Sequence, residues 1–352
     1  DLGNSGTGAR LLLGVLAGSE VVATMVGDTS LQARPMHRVC DPLEAMGAQL
    51  EYLDVEGHIP IRVDHSHPLR SIEWRSPVAS AQVKSSILLA GLVGGARTIV
   101  TEPRRSRDHT ERLLAQRGVA ISTRDVPEGH QVELGDPSNV LSPLDFSVPG
   151  DVSSAAFILA LAALGGAGTS ITTVNVGLNP TRTAFLDVFA RMGVSLTIEE
   201  PDRGYTCEPQ GSVTANPSEV HGTDVIAEEV PSVIDELPII AAMGACSKGI
   251  TTIRGAGELR VKESDRIHSL VHNLRMLGVE VTEYEDGLEI EGTSRPLTGR
   301  IQAFGDHRIA MAFGVLAKVR KNHIEIDDPT LSDVSFPGFW PLLDALVQRS
   351  HT

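Results

Sequence analysis

Alanine- and leucine-rich segments recur along the chain, and each begins beside small or polar residues that could cap a helix. Read with a helical period, their apolar residues cover nearly every side, which is typical of a buried helix. These segments predict helices of one kind at intervals of about 73 to 81 residues. The predicted starts lie near Ser5, Ser80, Ser153, Ile234 and His307.

A second kind of helix is predicted wherever a helical segment stops at a glycine and an alternating apolar strand follows. Glycine adopts the left-handed conformation that ends many helices. The interval between these glycines, about 71 to 85 residues, is close to that of the buried helices. Pro35 is expected at the first position of one such helix. The glycines are Gly47, Gly118, Gly193 and Gly278.

Together these patterns predict a repeat of one helix, one strand, a second helix and a strand pair. Because the first helix lacks a polar face, the sheets must wrap around the helices, the reverse of a doubly wound fold. Five repeat starts are visible, and a symmetric fold built from groups of three repeats would need a sixth. The strand that follows each buried helix is predicted in EVVATMVGD, ARTIVTEP, TSITTVNV, GITTIRG and NHIEIDDP.

The segment SPLDFSVPGD interrupts the periodicity with two prolines and a glycine. We therefore predict two domains, 1–147 with two repeats and 148–352 with two full repeats and part of a third. The chain also begins abruptly with DLGNSGTGAR, without an initiator methionine. We expect Asp1 to lie inside a longer sequence.

Composition narrows the class of protein. The 352 residues carry a net charge of −15, which argues against non-specific nucleic-acid binding. The longest apolar runs, such as 155–164, are too short to cross a membrane. Cys40, Cys207 and Cys246 are widely spaced, so a disulfide framework or zinc site is not expected and a cytoplasmic location is predicted.

An arginine stands 11 to 13 residues before each of these glycines, in a polar turn that begins the second helix. In a pseudo-symmetric fold, arginines at equivalent positions are expected to converge on one face. Guanidinium groups at helix starts suit phosphate and carboxylate ligands. These arginines are Arg34, Arg107, Arg182 and Arg266.

The densest cluster of charges lies in the stretch 258–274, ELRVKESDRIHSLVHNL. Ser264 or Asp265 is predicted to cap a helix there, so its charges lie at an end that favours anions. Lys262 and Glu263 place a cation beside a possible proton carrier. A solvated capping turn remains the alternative interpretation.

Other helix starts carry further candidates. Asp235 and Glu236 precede a helix in PSVIDELP, where a carboxylate should be stabilised as the anion or simply serve as a cap. The segment 306–308, Asp-His-Arg, supplies another cation. GNSGTGAR, residues 3–10, predicts either a nest of backbone amides before a helix or a tight turn. Ser80, Ala81 and Gln82 could bind a ligand or cap a helix.

Metal and covalent chemistry find little support in the sequence. His65 and His67 have no carboxylate or cysteine at a spacing suited to a metal site. No nucleophile motif is present. The residues instead favour proton transfer among carboxylates, a lysine and arginines on an anionic substrate.

Several motifs resemble the 5-enolpyruvylshikimate-3-phosphate synthase family, and the match runs in order over essentially the whole chain. LRVKESDR with DHRIAM is the most specific pair. The resemblance implies two inside-out α/β domains of repeated βαβαββ-type units with pseudo-threefold symmetry. It also implies that roughly ninety N-terminal residues of a typical member have no counterpart here. The motifs are GNSGTGAR, GDTSLQARPM, ASAQVKSSILLAGL, TRTAFLDVFARMG, PSVIDELPIIA, ELRVKESDRI, FGDHRIAMAF and SFPGFW.

The family's reaction transfers the enolpyruvyl group of phosphoenolpyruvate to the 5-hydroxyl of shikimate 3-phosphate and releases phosphate. The resemblance implies that Asp235, Glu263 and Lys262 are catalytic. Asp235 is expected to accept the hydroxyl proton and Glu263 to protonate the methylene carbon, with an exchange of these two roles as the alternative. It places phosphoenolpyruvate on Gly6, Arg34, Lys262, Arg266 and Arg308. Shikimate 3-phosphate is expected on Ser80, Gln82 and Arg107, with Thr7, Arg10 and Ala81 as further substrate contacts.

The resemblance implies a monomer without a cofactor, metal, nucleic-acid or membrane partner. One departure is Val334, where many members carry a lysine that contacts phosphoenolpyruvate. Two alternatives remain. A UDP-N-acetylglucosamine enolpyruvyl transferase shares the fold but uses a reactive cysteine in a loop, whereas Cys40 lies in a predicted helix. An inactive fragment or a non-catalytic binding protein would follow if the first repeat were absent.

Overall fold

A computed structural model describes residues 1–64, 68–135, 141–200, 208–319 and 321–348 of the chain. The chain divides into two compact units, Asp1–Phe146 and Ser147–Thr352. Within the described residues, every helix is too short or too polar to cross a membrane.

The first unit alternates helices with short strands. Its sheets have the orders β1-β3-β2 and β4-β5-β7-β6. The strands before and after helix α4 pair in parallel, and the remaining pairs are antiparallel. The elements are α1 Gly6–Gly18, β1 Ala23–Met25, α2 Thr29–Gln32, α3 His37–Ala45, β2 Gln49–Tyr52, β3 Ile61–Asp64, β4 Ile72–Arg75, α4 Ala81–Gly94, β5 Thr98–Glu102, α5 His109–Gln116, β6 Ile121–Val126 and β7 Gly129–Leu134.

The second unit repeats the scheme, with sheets ordered β8-β10-β9, β11-β12-β14-β13 and β15-β16. Two short 3-10 helices, Gly257–Val261 and Pro329–Val334, lie outside these sheets. The elements are α6 Val152–Ala163, β8 Ile171–Gly177, α7 Ala184–Arg191, β9 Leu196–Glu199, β10 Gln210–Ala215, β11 Asp224–Val225, α8 Val230–Val233, α9 Leu237–Ala245, β12 Ile250–Ile253, α10 Arg266–Met276, β13 Glu280–Tyr284, β14 Gly287–Glu291, β15 Thr298–Ile301, α11 His307–Ala317, β16 His323–Ile326 and α12 Phe339–Gln348.

The buried helices lie inside the sheets, as predicted. In the second unit, α9 is buried along its whole length, and α6 and α11 nearly so. Their apolar side chains form one core with the inward faces of the strands. A second core occupies the first unit. This arrangement of helices within sheets is the predicted inside-out α/β architecture.

The predicted glycines all end helices in the left-handed region, with φ between 76° and 104°. The strands predicted after them form at β2, β6, β9 and β13, and those predicted after the buried helices form at β1, β5, β8, β12 and β16. Asp265 caps α10 by accepting from the backbone amide of His268 at 2.9 Å, so Asp265 rather than Ser264 is the cap.

Two predictions about helices are wrong in detail. Helix α1 is not buried all round, because one face packs on α4 while Leu12, on another, is 39% exposed. Pro35 lies two residues before α3, which begins at His37. The start predicted near Ser153 is confirmed, since α6 begins at Val152; Asp151 caps it by accepting from the amides of Ser153 and Ser154, and the Ser153 hydroxyl is left to make a buried contact.

Candidate active site

The second unit brings three carboxylates and two arginines together at the starts of α9, α10 and α11. We call Asp235, Glu263, Arg266, Asp306 and Arg308 the arginine–carboxylate cluster. Its centre is Arg266, the first residue of α10, which is 1% exposed. The Arg266 guanidinium donates to Asp306 at 2.7 Å and to Glu263 at 2.7 Å. A buried arginine with two such bonds is held in a fixed orientation.

One nitrogen of the Arg266 guanidinium makes no hydrogen bond to the described residues. Its Nη1 is buried, has no hydrogen-bond acceptor among the described residues, and lies 3.8 Å from an oxygen of Asp235. Because an unsatisfied buried donor is costly, this nitrogen is suited to an anionic ligand. The remaining donors of the same guanidinium are already used by the protein.

Asp235 lies within reach of two guanidinium groups. Arg308 donates to the Asp235 carbonyl oxygen at 3.0 Å, and its Nη2 is 3.9 Å from the Asp235 carboxylate. Asp306 places Arg308 by capping α11, since it accepts from the Arg308 amide at 2.9 Å. The carboxylate therefore stands 3.8 and 3.9 Å from Arg266 and Arg308, close enough for strong interaction without a direct hydrogen bond.

The pKa values in this cluster follow from burial and charge. Burial alone would raise the pKa of Asp306, but the charge of Arg266 and its hydrogen bonds outweigh that effect and hold the pKa below its ordinary value. Burial lowers the pKa of Lys262, and Arg266 adds to this, while Asp235 opposes it. Burial and Arg308 also lower the pKa of His307, while Asp306 opposes this change.

Glu236 overturns the expectation that a carboxylate at this helix start is stabilised as the anion. Its side chain makes no capping bond to α9 and is 1% exposed. Burial, followed by the charge of Asp235, raises the pKa of Glu236 to about 6. Glu236 accepts a short hydrogen bond from the Ser153 hydroxyl, which itself accepts from Arg182 at 2.6 Å.

Arg182 and Arg266 therefore both lie close to the start of α9, while the convergence of all four arginines on one face stays a prediction. Arg182 reaches Glu236 through Ser153, and Arg266 faces Asp235. Sequence reasoning missed Glu236 as a buried acid and Ser153 as its partner. The uninterrupted apolar residues on both sides of the Asp-Glu pair were the available signal of burial.

In the first unit, two arginines surround the start of α1. Arg34 donates to Asn4 at 2.7 Å. Arg10 donates to Gln82 at 2.8 Å, and Gln82 donates to Thr7 at 2.7 Å. Gly6, the first residue of α1, makes this approach possible. A methyl group added there would lie 3.0 Å from Arg34 Nη1 and 3.1 Å from Arg10 Nη1.

The other first-unit candidates lie at two neighbouring segments. Ser80 caps α4 by accepting from the Val83 amide, and Ala81 and Gln82 are the first helical residues. Arg107 stands in the turn between β5 and α5. Ser80 and Arg107 are both half-buried, so ligand atoms can reach them.

The two cysteines that the structure describes are both buried. Cys40 is buried inside α3, and burial raises the pKa of its thiol to about 11. Cys246 is buried as well. Cys207, His65 and His67 lie outside the described residues. Among those that are described, no group of three or more potential ligands could hold a metal ion.

Val334, the position where many family members carry a lysine, ends the 3-10 helix Pro329–Val334. Its side chain is 63% exposed. The chain therefore offers no cation at this position.

Comparison with known proteins gives a consistent result. Two relatives are named 3-phosphoshikimate 1-carboxyvinyltransferase. The relative from Salinibacter ruber is 46% identical over 97% of this chain and 77% of its own length. The relative from Bacillus licheniformis is 42% identical over 99% of this chain and 80% of its own length. The solved EPSP synthase of Acinetobacter baumannii superposes with a TM-score of 0.84, at 37% identity, over 98% of this chain and 78% of that one.

A more distant structure, the enolpyruvyl transferase NikO from Streptomyces tendae, has a TM-score of 0.70 at 19% identity over 97% of this chain and 76% of that one, which supports the fold alone. The family described as EPSP synthase (3-phosphoshikimate 1-carboxyvinyltransferase) matches residues 1–343. With this match, the relatives and the inside-out fold, the chain belongs to the EPSP synthase family.

Proposed function

We propose that this protein transfers the enolpyruvyl group of phosphoenolpyruvate to the 5-hydroxyl of shikimate 3-phosphate and releases phosphate, a step of aromatic amino-acid biosynthesis. Family membership supports this reaction. The observation that carries it is the position of Asp235, whose carboxylate lies 3.8 and 3.9 Å from the guanidinium groups of Arg266 and Arg308. A base held beside anion-binding groups is what addition of an alcohol to an anionic enol requires.

The reaction has two stages. In the addition, the methylene carbon of phosphoenolpyruvate gains a proton while the 5-hydroxyl oxygen bonds to the adjacent carbon and loses its own proton. In the elimination, phosphate leaves the tetrahedral intermediate and the new methyl group gives up a proton, which restores the double bond. The protein must therefore move protons at two atoms and stabilise a highly charged intermediate.

Residues of the arginine–carboxylate cluster take these roles. Arg266, Arg308 and the neighbouring Lys262 bind the phosphate and carboxylate groups of phosphoenolpyruvate. Asp235 accepts the hydroxyl proton, and Glu263 protonates the methylene carbon. The 2.7 Å bond between Glu263 and the buried Arg266 fixes the position of this carboxylate beside the anion-binding groups.

Residues of the first unit bind anionic and polar groups of the substrates. Arg34 binds an anion of phosphoenolpyruvate, and Gly6 leaves room for it beside the backbone. Ser80, Gln82 and Arg107 bind shikimate 3-phosphate. Arg10 orients the Gln82 side chain through their 2.8 Å bond. Thr7 and Ala81 are further substrate contacts in this proposal. Thr7 accepts a hydrogen bond from Gln82, and Ala81 directly follows Ser80 at the start of α4.

The alternatives are less well supported. A UDP-N-acetylglucosamine enolpyruvyl transferase would need a reactive loop cysteine, whereas Cys40 is fully buried in α3. A non-catalytic protein would not need the buried Arg266 and its carboxylates, which are costly to bury. Neither alternative accounts for the names of the relatives.

Release of inorganic phosphate tests the reaction. The protein is incubated with phosphoenolpyruvate and shikimate 3-phosphate, and phosphate is measured by a coupled assay. We expect phosphate only when both substrates are present. Phosphate formed with UDP-N-acetylglucosamine in place of shikimate 3-phosphate would establish the first alternative, and no phosphate with either acceptor would favour a non-catalytic protein.

Substitution Glu263→Gln tests the proton donor. It should reduce kcat by at least about a hundredfold while substrate binding, measured by calorimetry, stays within about threefold. Glu283→Gln is the matched control, since Glu283 pairs with Arg260 at 3.1 Å and its side chain is 29% exposed against 25% for Glu263. Retained turnover in the Glu263 variant would remove it as the donor.

A further inference from the structure

A buried carboxylate in the first unit contacts both segments that carry the proposed shikimate 3-phosphate ligands. Glu102 is the last residue of β5 and is fully buried. Its carboxylate accepts from the Ser80 backbone amide at 2.7 Å. It also accepts from the Ser106 hydroxyl, at 2.9 Å to one oxygen and 2.7 Å to the other. One side chain therefore joins the start of α4 to the turn after β5.

The charge of Glu102 is balanced within the core. Lys84, fully buried in α4, lies 3.2 Å from Glu102 and 2.7 Å from Glu111 of α5. Burial raises the pKa of Glu111, and Lys84 opposes that change. Charges this deeply buried are costly unless they are paired, so the three side chains form one unit.

The contacts of Glu102 lead directly to the ligand segments. Ser80 begins the segment that continues through Ala81 to Gln82 at the start of α4. Ser106 precedes Arg107 in the turn before α5. Each segment lies outside regular structure at the point where Glu102 meets it, so its backbone position depends on such contacts.

We propose that Glu102 is a positioning residue that holds Ser80 and Arg107 at the spacing required by shikimate 3-phosphate. Lys84 keeps its carboxylate in place, and Glu111 shares the charge of Lys84 without contacting either ligand segment. This inference rests on the proposed function, because that function assigns Ser80 and Arg107 to this substrate. Binding groups act at full strength only when such supporting contacts fix them.

Glu102→Gln tests the inference directly. Ser80 donates to one oxygen of Glu102 and Lys84 lies beside the other, whereas a carboxamide has an acceptor oxygen on one side only, so it can serve the Ser80 amide or Lys84 but not both. The KM for shikimate 3-phosphate should rise at least about tenfold, while kcat and the KM for phosphoenolpyruvate stay within about twofold. Glu111→Gln is the matched control, because it neutralises the other acid paired with Lys84 and leaves Ser80 and Ser106 untouched.

A second variant keeps the inference testable if Glu102→Gln does not fold. Ser106→Ala removes one contact of Glu102 without changing a charge, and it should raise the KM for shikimate 3-phosphate about threefold to fivefold. Equal KM values for the Glu102 and Glu111 variants, or an unchanged KM in Ser106→Ala, would overturn the positioning role.

Arg107→Ala, measured in the same series, separates this inference from the proposed function. A raised KM for shikimate 3-phosphate in Arg107→Ala with unchanged values in the Glu102 and Ser106 variants refutes the inference alone. An unchanged KM in Arg107→Ala refutes the substrate assignment, and the inference fails with it. A rise in all three, without a rise in Glu111→Gln, supports both.

Discussion

Replacing Glu236 with glutamine should increase the stability of the protein at neutral pH relative to its stability in acid. Glutamine matches glutamate in size and can still accept the hydrogen bond from Ser153, but it cannot ionise. In the natural chain, burial and then the charge of Asp235 raise the pKa of Glu236 to about 6 from an ordinary 4.5.

The sign and size of the effect follow from proton linkage. Between pH 4.5 and 6 the folded state keeps the Glu236 proton while the unfolded chain loses it, so the free energy of unfolding falls as the pH rises. One pKa unit corresponds to about 1.4 kcal/mol, so the full loss above pH 6 is about 2 kcal/mol. Glu236→Gln has no such loss.

Urea unfolding followed by circular dichroism measures this difference. The free energy of unfolding of the variant, relative to the natural chain, should rise by about 2 kcal/mol between about pH 4 and pH 7.5. Any packing cost that does not depend on pH cancels in this comparison. Glu228→Gln, which changes an exposed acid eight positions earlier in the sequence, is the control and should show no such rise. If the free energy of unfolding of the variant differs from that of the natural chain by the same amount at both pH values, the raised pKa of Glu236 is refuted.

Two further predictions concern the first unit. Gly6→Ala places a methyl group 3.0 Å from Arg34 Nη1, so we expect the KM for phosphoenolpyruvate to rise about tenfold, from loss of a charged hydrogen bond. Gly135→Ala is its control, since its methyl meets nothing closer than 3.4 Å, and an unchanged KM for Gly6→Ala would exclude close approach of substrate. Cys40, with its pKa of about 11, should resist iodoacetamide at pH 7.5 until urea is added; peptide mass spectrometry showing rapid native labelling would contradict its burial.

Much of the fold could be predicted because its signals are local and repeated. A glycine that ends a helix and the alternating strand after it together span about ten residues, so both can be recognised directly in the sequence. The exposed face of α1 could not be predicted in this way. Its composition resembles that of the buried helices, and only the contacts made by α1 decide which side is covered.

The candidate site could be predicted where its charged side chains lie close together in the sequence. Lys262, Glu263 and Arg266 lie within five positions, and Asp265 caps the helix that presents them. Contacts between distant segments gave no such signal. Glu236 and Ser153 are 83 positions apart in the sequence. Burial raises the pKa of Glu236, whereas the helix start was expected to stabilise its anion. Glu102 lies 18 positions from Lys84, on a strand whose pattern shows only that it is buried.

Because helices lie inside the sheets, we expect the usual order of amide hydrogen exchange to be reversed. In most proteins with both elements, central strands exchange slowest because helices shield them from water. In the second unit, α6, α9 and α11 pack together, while strands such as β9 and β13 carry mostly exposed or half-buried residues. The slowest amides should therefore belong to the helices, and the sheets should open first. Local unfolding should then reach the starts of α9 and α11, where we propose that substrate binds, only after the surrounding strands have separated.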